Sequence, residues 1–497
     1  MIVGILKSMK LKQLLKDIPF IEVRGSKEID VLGLSCNSKL VAPGFLFFAK
    51  KGSKQNGNQF IQEAILAGAV GIVTDLFDPF LKNVVQVLCK DVSSLEAVLS
   101  DRFYRSPSRK LLTVGITGTN GKTTCSYLVK HLFNRMGLET GLIGTIEWAF
   151  KDSVFPSNLT TPDVITCQKL LHEMVVAGCQ SVVMEVSSHA LSQGRVDPID
   201  FDLAIFTNLT QDHLDYHSTM QEYAEAKAKL FTSLGKKGPS DKKFRKRAIV
   251  NQDSPWTKTV IKELCTDCIS YGLGSDADLY AQKIKLCPDG MEFEVCYQGE
   301  RAFLRSSLIG KFNVYNLLAA AAAGLSLDWK LSDIVAVLSS FKAVPGRLER
   351  VENAQEKNIF VDYAHTEDAL QNALMTLREI GKGKLICVFG CGGNRDRLKR
   401  PKMGHVAEEH ADLVFVTSDN PRGERPEEII REILLGIQDQ KHIVVEVDRK
   451  KAIQKAVEIL GKDDILLIAG KGHENYQIFS HHTIHFDDRI VAKEYCR

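Results

Sequence analysis

At 497 residues, with 44% hydrophobic and 25% charged side chains, the chain is too long for one core and suits about three of roughly 150 residues each. Its 64 Lys and Arg against 61 Asp and Glu leave a formal charge of +3, too balanced for a protein whose main partner is nucleic acid or an anionic membrane. The twelve cysteines follow no repeating spacing, and the C-x-x-C at Cys265 and Cys268 lacks a second pair or a His cluster, so the sequence predicts reduced thiols, no zinc site and a cytoplasmic location. No apolar run reaches the ~20 residues of a membrane span, and the patch at Met1 to Lys10 is too short for a signal peptide.

Taken in order, residues 1–106 read as a small α/β domain. Val31 to Leu34, Gly44 to Ala49 and Gly71 to Thr74 have the composition of short strands, with a helix over Phe60 to Leu66. Ser106 to Arg109 reads as a linker. Beyond it the chain repeats one pattern, an apolar run that stops abruptly at polar residues. Leu111 to Ile116 runs into Thr117 to Thr124; Ser181 to Met184 into Glu185; Leu203 to Phe206 into Thr207 and Asn208; Ile359 to Val361 into Asp362. Leu385 to Phe389 leads to Gly390 to Arg395, Leu413 to Val416 to Ser418 to Arg422, and Ile465 to Ile468 to Gly470 to Glu474. Buried parallel strands give such runs, and open α/β sheets bind ligands at the strands' carboxyl ends. The expectation is two mostly parallel sheets in series, a central domain at 107–342 and a Rossmann-like one at 343–497, divided near Phe341 to Gly346. The basic run at 236–247 contains Gly-Pro-Ser and a single aromatic, Phe244, and reads as a solvated loop, not a nucleic-acid arm.

Within that frame, Gly118-Thr119-Asn120-Gly121-Lys122-Thr123-Thr124 lies between a strand and a helix, where backbone N–H groups close on phosphate oxygens, Lys122 adds positive charge and a Thr hydroxyl can hold Mg²⁺. Ile116 stands where the strict phosphate-loop pattern has Gly. An acidic residue at the end of a neighbouring strand should serve the metal, and Glu185 meets that requirement.

The variant loop resembles the ATP site of the Mur ligase superfamily, which joins amino acids to a carboxylate through an acyl phosphate and includes the folylpolyglutamate synthases. The resemblance continues through Ser187, Ser188, His189, Gln193 and Arg195 and through Thr207 to His217. It implies Thr123, Glu185 and His213 as metal ligands, and Lys227 in the helix Tyr223 to Phe231 as a lysine carboxylated by CO₂, whose carbamate is an anionic oxygen ligand where an ammonium is not. It also implies adenine contacts at Asn313 and Asn316, which otherwise read as helix-cap residues, a phosphate contact at the hinge Arg347, and a ribose or catalytic carboxylate at Asp362. Catalysis would then rest on Lys122, Lys227, His213 and Arg347. Uridine-nucleotide and muramyl-dipeptide contacts would fall to Ser38, Thr160, Thr161, Ser187, Gln193 and Arg195.

The string Asp419-Asn420-Pro421-Arg422 resembles the motif of the family branch that adds meso-diaminopimelate, which differs from lysine by a distal carboxylate that a guanidinium fork can bind. Arg395, Gly470 and Glu474 complete a pocket for a zwitterion. The implied reaction is ATP-dependent addition of meso-diaminopimelate to the D-glutamyl carboxylate of UDP-N-acetylmuramoyl-L-Ala-D-Glu in peptidoglycan precursor synthesis, by a monomer whose domain closure excludes water from the acyl phosphate. A dinucleotide oxidoreductase is disfavoured because Gly390-Cys-Gly-Gly393 lacks the third glycine of its fingerprint. A folylpolyglutamate-type ligase is disfavoured by the domain preceding the phosphate loop and by Arg422.

Overall fold

The apolar runs do become strands buried on both faces, and their order in each sheet decides which polar tails meet. The protein is represented by a computed structural model that describes residues 8–19, 21–52, 55–157, 159–212, 216–234 and 244–496. These divide into two compact units, 1–272 with 322–329 and 273–321 with 330–497. The class is α/β, as predicted, and among the described residues no helix is long and apolar enough to cross a membrane.

The N-terminal sheet of the first unit holds strands β1 (Glu22–Arg24), β2 (Gly33–Ser35), β3 (Phe45–Phe48), β4 (Gly71–Thr74) and β5 (Val85–Leu88), in the order β1-β5-β4-β3-β2. All neighbours are parallel except β1 with β5. Leu46, Phe48, Val73 and Val87 are fully buried beneath the helix Val92–Phe103. The expected linker is no loose tether: Pro107–Lys110 forms a 3-10 turn, Ser108 is buried, and its hydroxyl accepts the Asp200 N–H at 3.1 Å. Proline at the first position of the turn and a left-handed Ser106 set that geometry.

The same unit continues with β6 (Leu112–Thr117), β7 (Thr140–Ile143), β8 (Glu147–Phe150), β9 (Ser153–Pro156), β10 (Ser181–Glu185), β11 (Leu203–Phe206), β12 (Arg247–Asn251) and β13 (Asp267–Gly272), in the order β9-β8-β7-β10-β6-β11-β12-β13. From β7 through β13 the pairs are parallel. Because β6 lies between β10 and β11, with Ile116 opposite Glu185 and Thr117 opposite Phe206, the tails after these three strands emerge side by side.

In the second unit, β14 (Leu279–Cys287), β15 (Gly290–Tyr297) and β16 (Glu300–Ser306) form an antiparallel meander. A further sheet holds β17 (Glu349–Arg350), β18 (Asn358–Asp362), β19 (Leu385–Phe389), β20 (Leu413–Val416), β21 (Ile443–Val445) and β22 (Ile465–Ala469), ordered β17-β18-β22-β19-β20-β21. Only the short β17 runs antiparallel to its neighbour. The loops after β22, β19 and β20 are thus neighbours, and those loops hold the predicted amino-acid contacts.

A buried ion pair braces these strand ends. Arg449, at the start of the helix Arg449–Glu458, and Asp488 are both fully buried, with Nε to Oδ1 at 2.8 Å and Nη2 to Oδ2 at 2.7 Å. The guanidinium also donates to the carbonyls of Ala469 at 3.0 Å and Ser418 at 3.4 Å, the residues just before Gly470 and Asp419. Removing one member of such a pair strands the other charge in the interior. Asp488→Ala is expected to lower the unfolding free energy by about 3 to 5 kcal/mol in urea titrations, and Arg449→Met added to it should recover a large part of that loss.

Candidate active site

Glycine is required where the phosphate loop crosses β11. A Cβ on Gly118 would lie 1.8 Å from Thr207 Oγ1, and Gly121 caps the helix Lys122–Arg135 at φ 84°. The loop is fastened from the neighbouring strand end. Asn208 Oδ1 accepts the Asn120 N–H at 2.9 Å, the Asn208 carbonyl accepts the Thr119 N–H at 2.9 Å, and Thr207 Oγ1 donates to the Asn120 carbonyl at 2.6 Å.

Two lysines reach one atom of this loop. Lys122 Nζ donates to the carbonyls of Gly118 at 2.9 Å and Thr119 at 2.8 Å, and Lys227 Nζ donates to the same Gly118 oxygen at 2.9 Å. Lys227 comes from the helix Met220–Ser233, is 1% exposed, and lies 4.4 Å from the Tyr223 ring centroid. Burial, then repulsion from Lys122, holds its ammonium well below the ordinary lysine range, only partly offset by Asp212. Tyr223 links the helix back to the loop, its hydroxyl 3.2 Å from Thr119 Oγ1.

On the other side of β6, Glu185 is fully buried. Its Oε2 accepts Thr123 Oγ1 at 3.0 Å and Thr145 Oγ1 at 2.9 Å, while Oε1 accepts the Thr145 N–H at 3.0 Å. Gly144 leaves the space, since a Cβ there would meet Oε1 at 2.5 Å. Thr123 and Glu185 therefore present hard oxygen atoms side by side at the foot of the phosphate loop, a donor set that fits Mg²⁺. His213 lies outside the described residues.

The expected muramyl-dipeptide residues lie around the same strand end, and several are engaged with one another. Thr145 Oγ1, its proton given to Glu185, lies 3.1 Å from Thr160 Oγ1 and can accept from it, and the buried Thr161 donates to the Glu185 carbonyl at 2.8 Å and accepts the Ser187 N–H at 3.0 Å. Arg195 donates to the Thr161 carbonyl at 2.9 Å and to Gln193 Oε1 at 2.6 Å. Ser38 stands apart in the N-terminal sheet region, where its hydroxyl donates to Glu63 Oε2 at 3.0 Å.

In the second unit, the start of the helix Lys311–Leu325 places Asn313 and Asn316 together, with Asn313 Nδ2 donating to the Ile309 carbonyl and Asn316 Nδ2 to Asn313 Oδ1, both at 2.8 Å. Asp362 accepts the N–H groups of Leu348 at 2.7 Å and Ala364 at 2.8 Å; burial nonetheless raises its carboxyl, against the opposing pull of Arg347. The Arg347 guanidinium lies 5.1 Å from the Tyr363 ring centroid with its Nε buried and unpartnered.

The amino-acid loops converge as the strand order requires. Arg422 takes φ 52°, its N–H donates to the Ile478 carbonyl at 3.0 Å and its Nη1 to the Gly393 carbonyl at 3.0 Å. Asn420 Nδ2 donates to Glu474 Oε2 at 2.8 Å, and a Cβ on Gly470 would strike Asp419 Oδ2 at 2.6 Å. Pro421 also presses on this turn, its carbonyl 1.8 Å from where a Gly393 Cβ would sit. Arg395 is exposed on the adjoining loop. Sequence reasoning passed over Thr145, the second partner of Glu185, and Lys471, fully buried against Asn420 and Glu474. It also missed Arg449 and Asp488. A polar residue just past an apolar run signalled Thr145; nothing local signalled the ion pair.

Two family models match the chain. Residues 116–324 match the Mur ligase middle domain and residues 346–472 the Mur ligase glutamate ligase domain. The chain is 43% identical over 487 residues to the UDP-N-acetylmuramoyl-L-alanyl-D-glutamate--2,6-diaminopimelate ligase of Geobacillus kaustophilus, covering 98% of this chain and 99% of that one. It is 44% identical over 490 residues to the enzyme of the same name from Chlamydia trachomatis serovar D, with the same coverage. A solved structure of a ligase with that name superposes with a TM-score of 0.72 at 32% identity, covering 98% of this chain and 99% of that chain.

The buried Lys227 gives a stability signature. The ordinary lysine value is 10.5 and the folded value lies well below it, so between the two the unfolded chain holds a proton that the folded chain has released. Unfolding free energy should rise with pH through that window, by at most about 1.4 kcal/mol per unit from this group, and the contribution should fade as pH falls. In CO₂-free buffer, Lys227→Met should flatten the slope of urea-unfolding free energy between pH 8 and 10.

Proposed function

This chain belongs to the Mur ligase family, and from that membership we propose that it is the ATP-dependent ligase adding meso-2,6-diaminopimelate to UDP-N-acetylmuramoyl-L-alanyl-D-glutamate in peptidoglycan precursor synthesis. The observation that carries the substrate choice is Arg422, anchored at two points in a loop joined to Glu474 through Asn420. Lysine offers nothing for that guanidinium; the distal carboxylate of diaminopimelate does.

A carboxylate is a poor electrophile, so the reaction needs a better leaving group before an amine can attack. ATP lies along Gly118 to Thr124, with Lys122 leaving its carbonyl partners for the phosphates as they arrive. Its γ-phosphoryl passes to the D-glutamyl carboxylate, whose oxygen forms the new P–O bond as the bond to ADP breaks. The amine of diaminopimelate then attacks the acyl carbon, phosphate leaves, and the amine gives up its proton. Thr123, Glu185 and His213 would hold Mg²⁺, which when bound neutralises charge on the transferring phosphoryl group.

Lys227 is read as N6-carboxylysine. Its depressed basicity supports this, because only the neutral amine has the lone pair that adds CO₂, losing a proton to give the carbamate. Asn313, Asn316, Arg347 and Asp362 complete the nucleotide contacts, and Ser38, Thr160, Thr161, Ser187, Gln193 and Arg195 the muramyl-dipeptide contacts. Arg395, Asp419, Asn420, Pro421, Arg422, Gly470 and Glu474 receive the amino acid. We read the domains as 1–106, 107–342 and 343–497, and the enzyme as a cytoplasmic monomer.

The test is ADP release measured with both substrates present and with each omitted. Release should require both diaminopimelate and the UDP-muramyl dipeptide, and lysine should replace diaminopimelate poorly. Arg422→Ala should lower kcat/KM for diaminopimelate by about 30- to 100-fold, the loss of one charge-assisted bidentate contact, with little change for lysine. A wild type that prefers lysine would overturn the reading.

A further inference from the structure

Lys471 is the one strongly charged group of the amino-acid loops that the reaction above does not use. It follows β22 in Gly470 to Glu474 and is fully buried. Its Nζ donates to Asn420 Oδ1 at 3.1 Å, stands 3.4 Å from Glu474 Oε2, and lies 5.5 Å from the Tyr476 ring centroid.

These contacts knit two separate loops together. Asn420 is pinned at both ends of its amide: Oδ1 accepts Lys471 Nζ and the Ile478 N–H at 3.0 Å, and Nδ2 donates to Glu474 Oε2 at 2.8 Å. The Glu474 side chain is only 15% exposed. Asp419, 7% exposed, places a second carboxylate in the loop of Asn420. A carboxylate kept this far from water needs a fixed cation against it, and for Glu474 Lys471 at 3.4 Å is that cation. The fully buried Lys471 and Asn420 both meet Oε2 of Glu474, so these two contacts leave Oε1 to a ligand.

Arg422 is tied to the same cluster, its N–H donating to the Ile478 carbonyl at 3.0 Å while the Ile478 N–H donates to Asn420 Oδ1, so this carboxylate and this guanidinium are suited to one amino-acid centre bearing both an ammonium and a carboxylate. We propose that Lys471 is a positioning residue that fixes Glu474 and Asn420 as the acceptor for the second amine of the substrate, and so sets the preference for a diamino over a monoamino diacid. This rests on the amino-acid pocket of the proposed function.

The experiment compares meso-diaminopimelate with 2-aminopimelate, which lacks the second amine, in wild type and in Lys471→Met. Wild type should favour the diamino substrate by at least about 30-fold in kcat/KM. Lys471→Met should cut that preference at least about tenfold, through a higher KM for diaminopimelate, while 2-aminopimelate and the KM for ATP change less than about threefold. A role confined to folding would depress both substrates alike, which would overturn the inference. If the single variant does not fold, Lys471→Gln, which keeps a donor for Asn420 but removes the charge against Glu474, takes its place and should also lower the preference; an undiminished preference would likewise overturn it. A wild type that does not distinguish the two substrates would instead remove the amino-acid pocket on which the inference stands.

Discussion

Two lysine side chains converge on a single carbonyl oxygen, Gly118 O, and the rest of the phosphate site is arranged around that concentration of like charge. Such a pair is tolerable in a dry place only if one amine gives up its proton or an anion arrives. The site provides for both outcomes. Lys227 is buried and discouraged from ionising, whereas Lys122 sits at the first position of a helix, where the backbone already favours negative charge. In the proposed reaction an arriving triphosphate would bring negative charge to this loop. Glu185, with three donors from Thr123 and Thr145, keeps its carboxylate oriented on the opposite side of β6.

The amino-acid loops solve the reverse problem, since they must hold charges of both signs apart and available. Here the protein invests its largest buried polar groups. Arg449, bound to Asp488 and to two strand-end carbonyls, sets where the loops begin. Arg400, also fully buried, grips Glu424 at 2.9 Å and Glu432 at 2.8 Å and reaches the Gly392 carbonyl at 3.3 Å, holding the next loop. Neither arginine is placed to touch a ligand in this reading. A hydrophobic replacement of each ion pair could be as stable, but it would have no donors for the carbonyls that fix the loops, and a small misplacement at a recognition site is costly.

The parts legible in the sequence were those with a local signature. An apolar run followed by polar residues announces a buried strand and a ligand-bearing tail, and every such run beyond residue 110 formed its strand. Strand order was not legible, because it depends on which runs pair across tens to hundreds of residues. Only the structure shows β6 between β10 and β11, the adjacency that brings Glu185 to Thr123. For the same reason Thr145 was passed over: its importance comes from a partner 40 residues away. At Ser106 to Arg109 composition reads as a linker but does not show whether it is loose, since Pro and Ser suit a packed 3-10 turn as well as a tether, and only the Asp200 contact reveals the packed form. Lys471 carries no local mark of its role, since a lysine in a glycine-rich loop reads as exposed and only the fold buries it against Asn420 and Glu474.

Arg422 shows why a strained residue can be the best guide to purpose. A left-handed conformation costs a non-glycine residue about 1 to 3 kcal/mol, and holding a long guanidinium still costs up to about 2 kcal/mol more in lost rotamers. Asn or Gly would relieve the first cost and any small side chain the second. The backbone bond to Ile478 and the side-chain bond to Gly393 offset part of both, yet they also spend donors that a purely structural residue would not need to be charged to supply. What the arrangement gains is a cation already oriented before a ligand arrives, beside a carboxylate already held by Asn420. Preorganised charge of this kind favours a ligand with a matching pair of groups over one lacking either, and a diamino diacid has both where lysine has one.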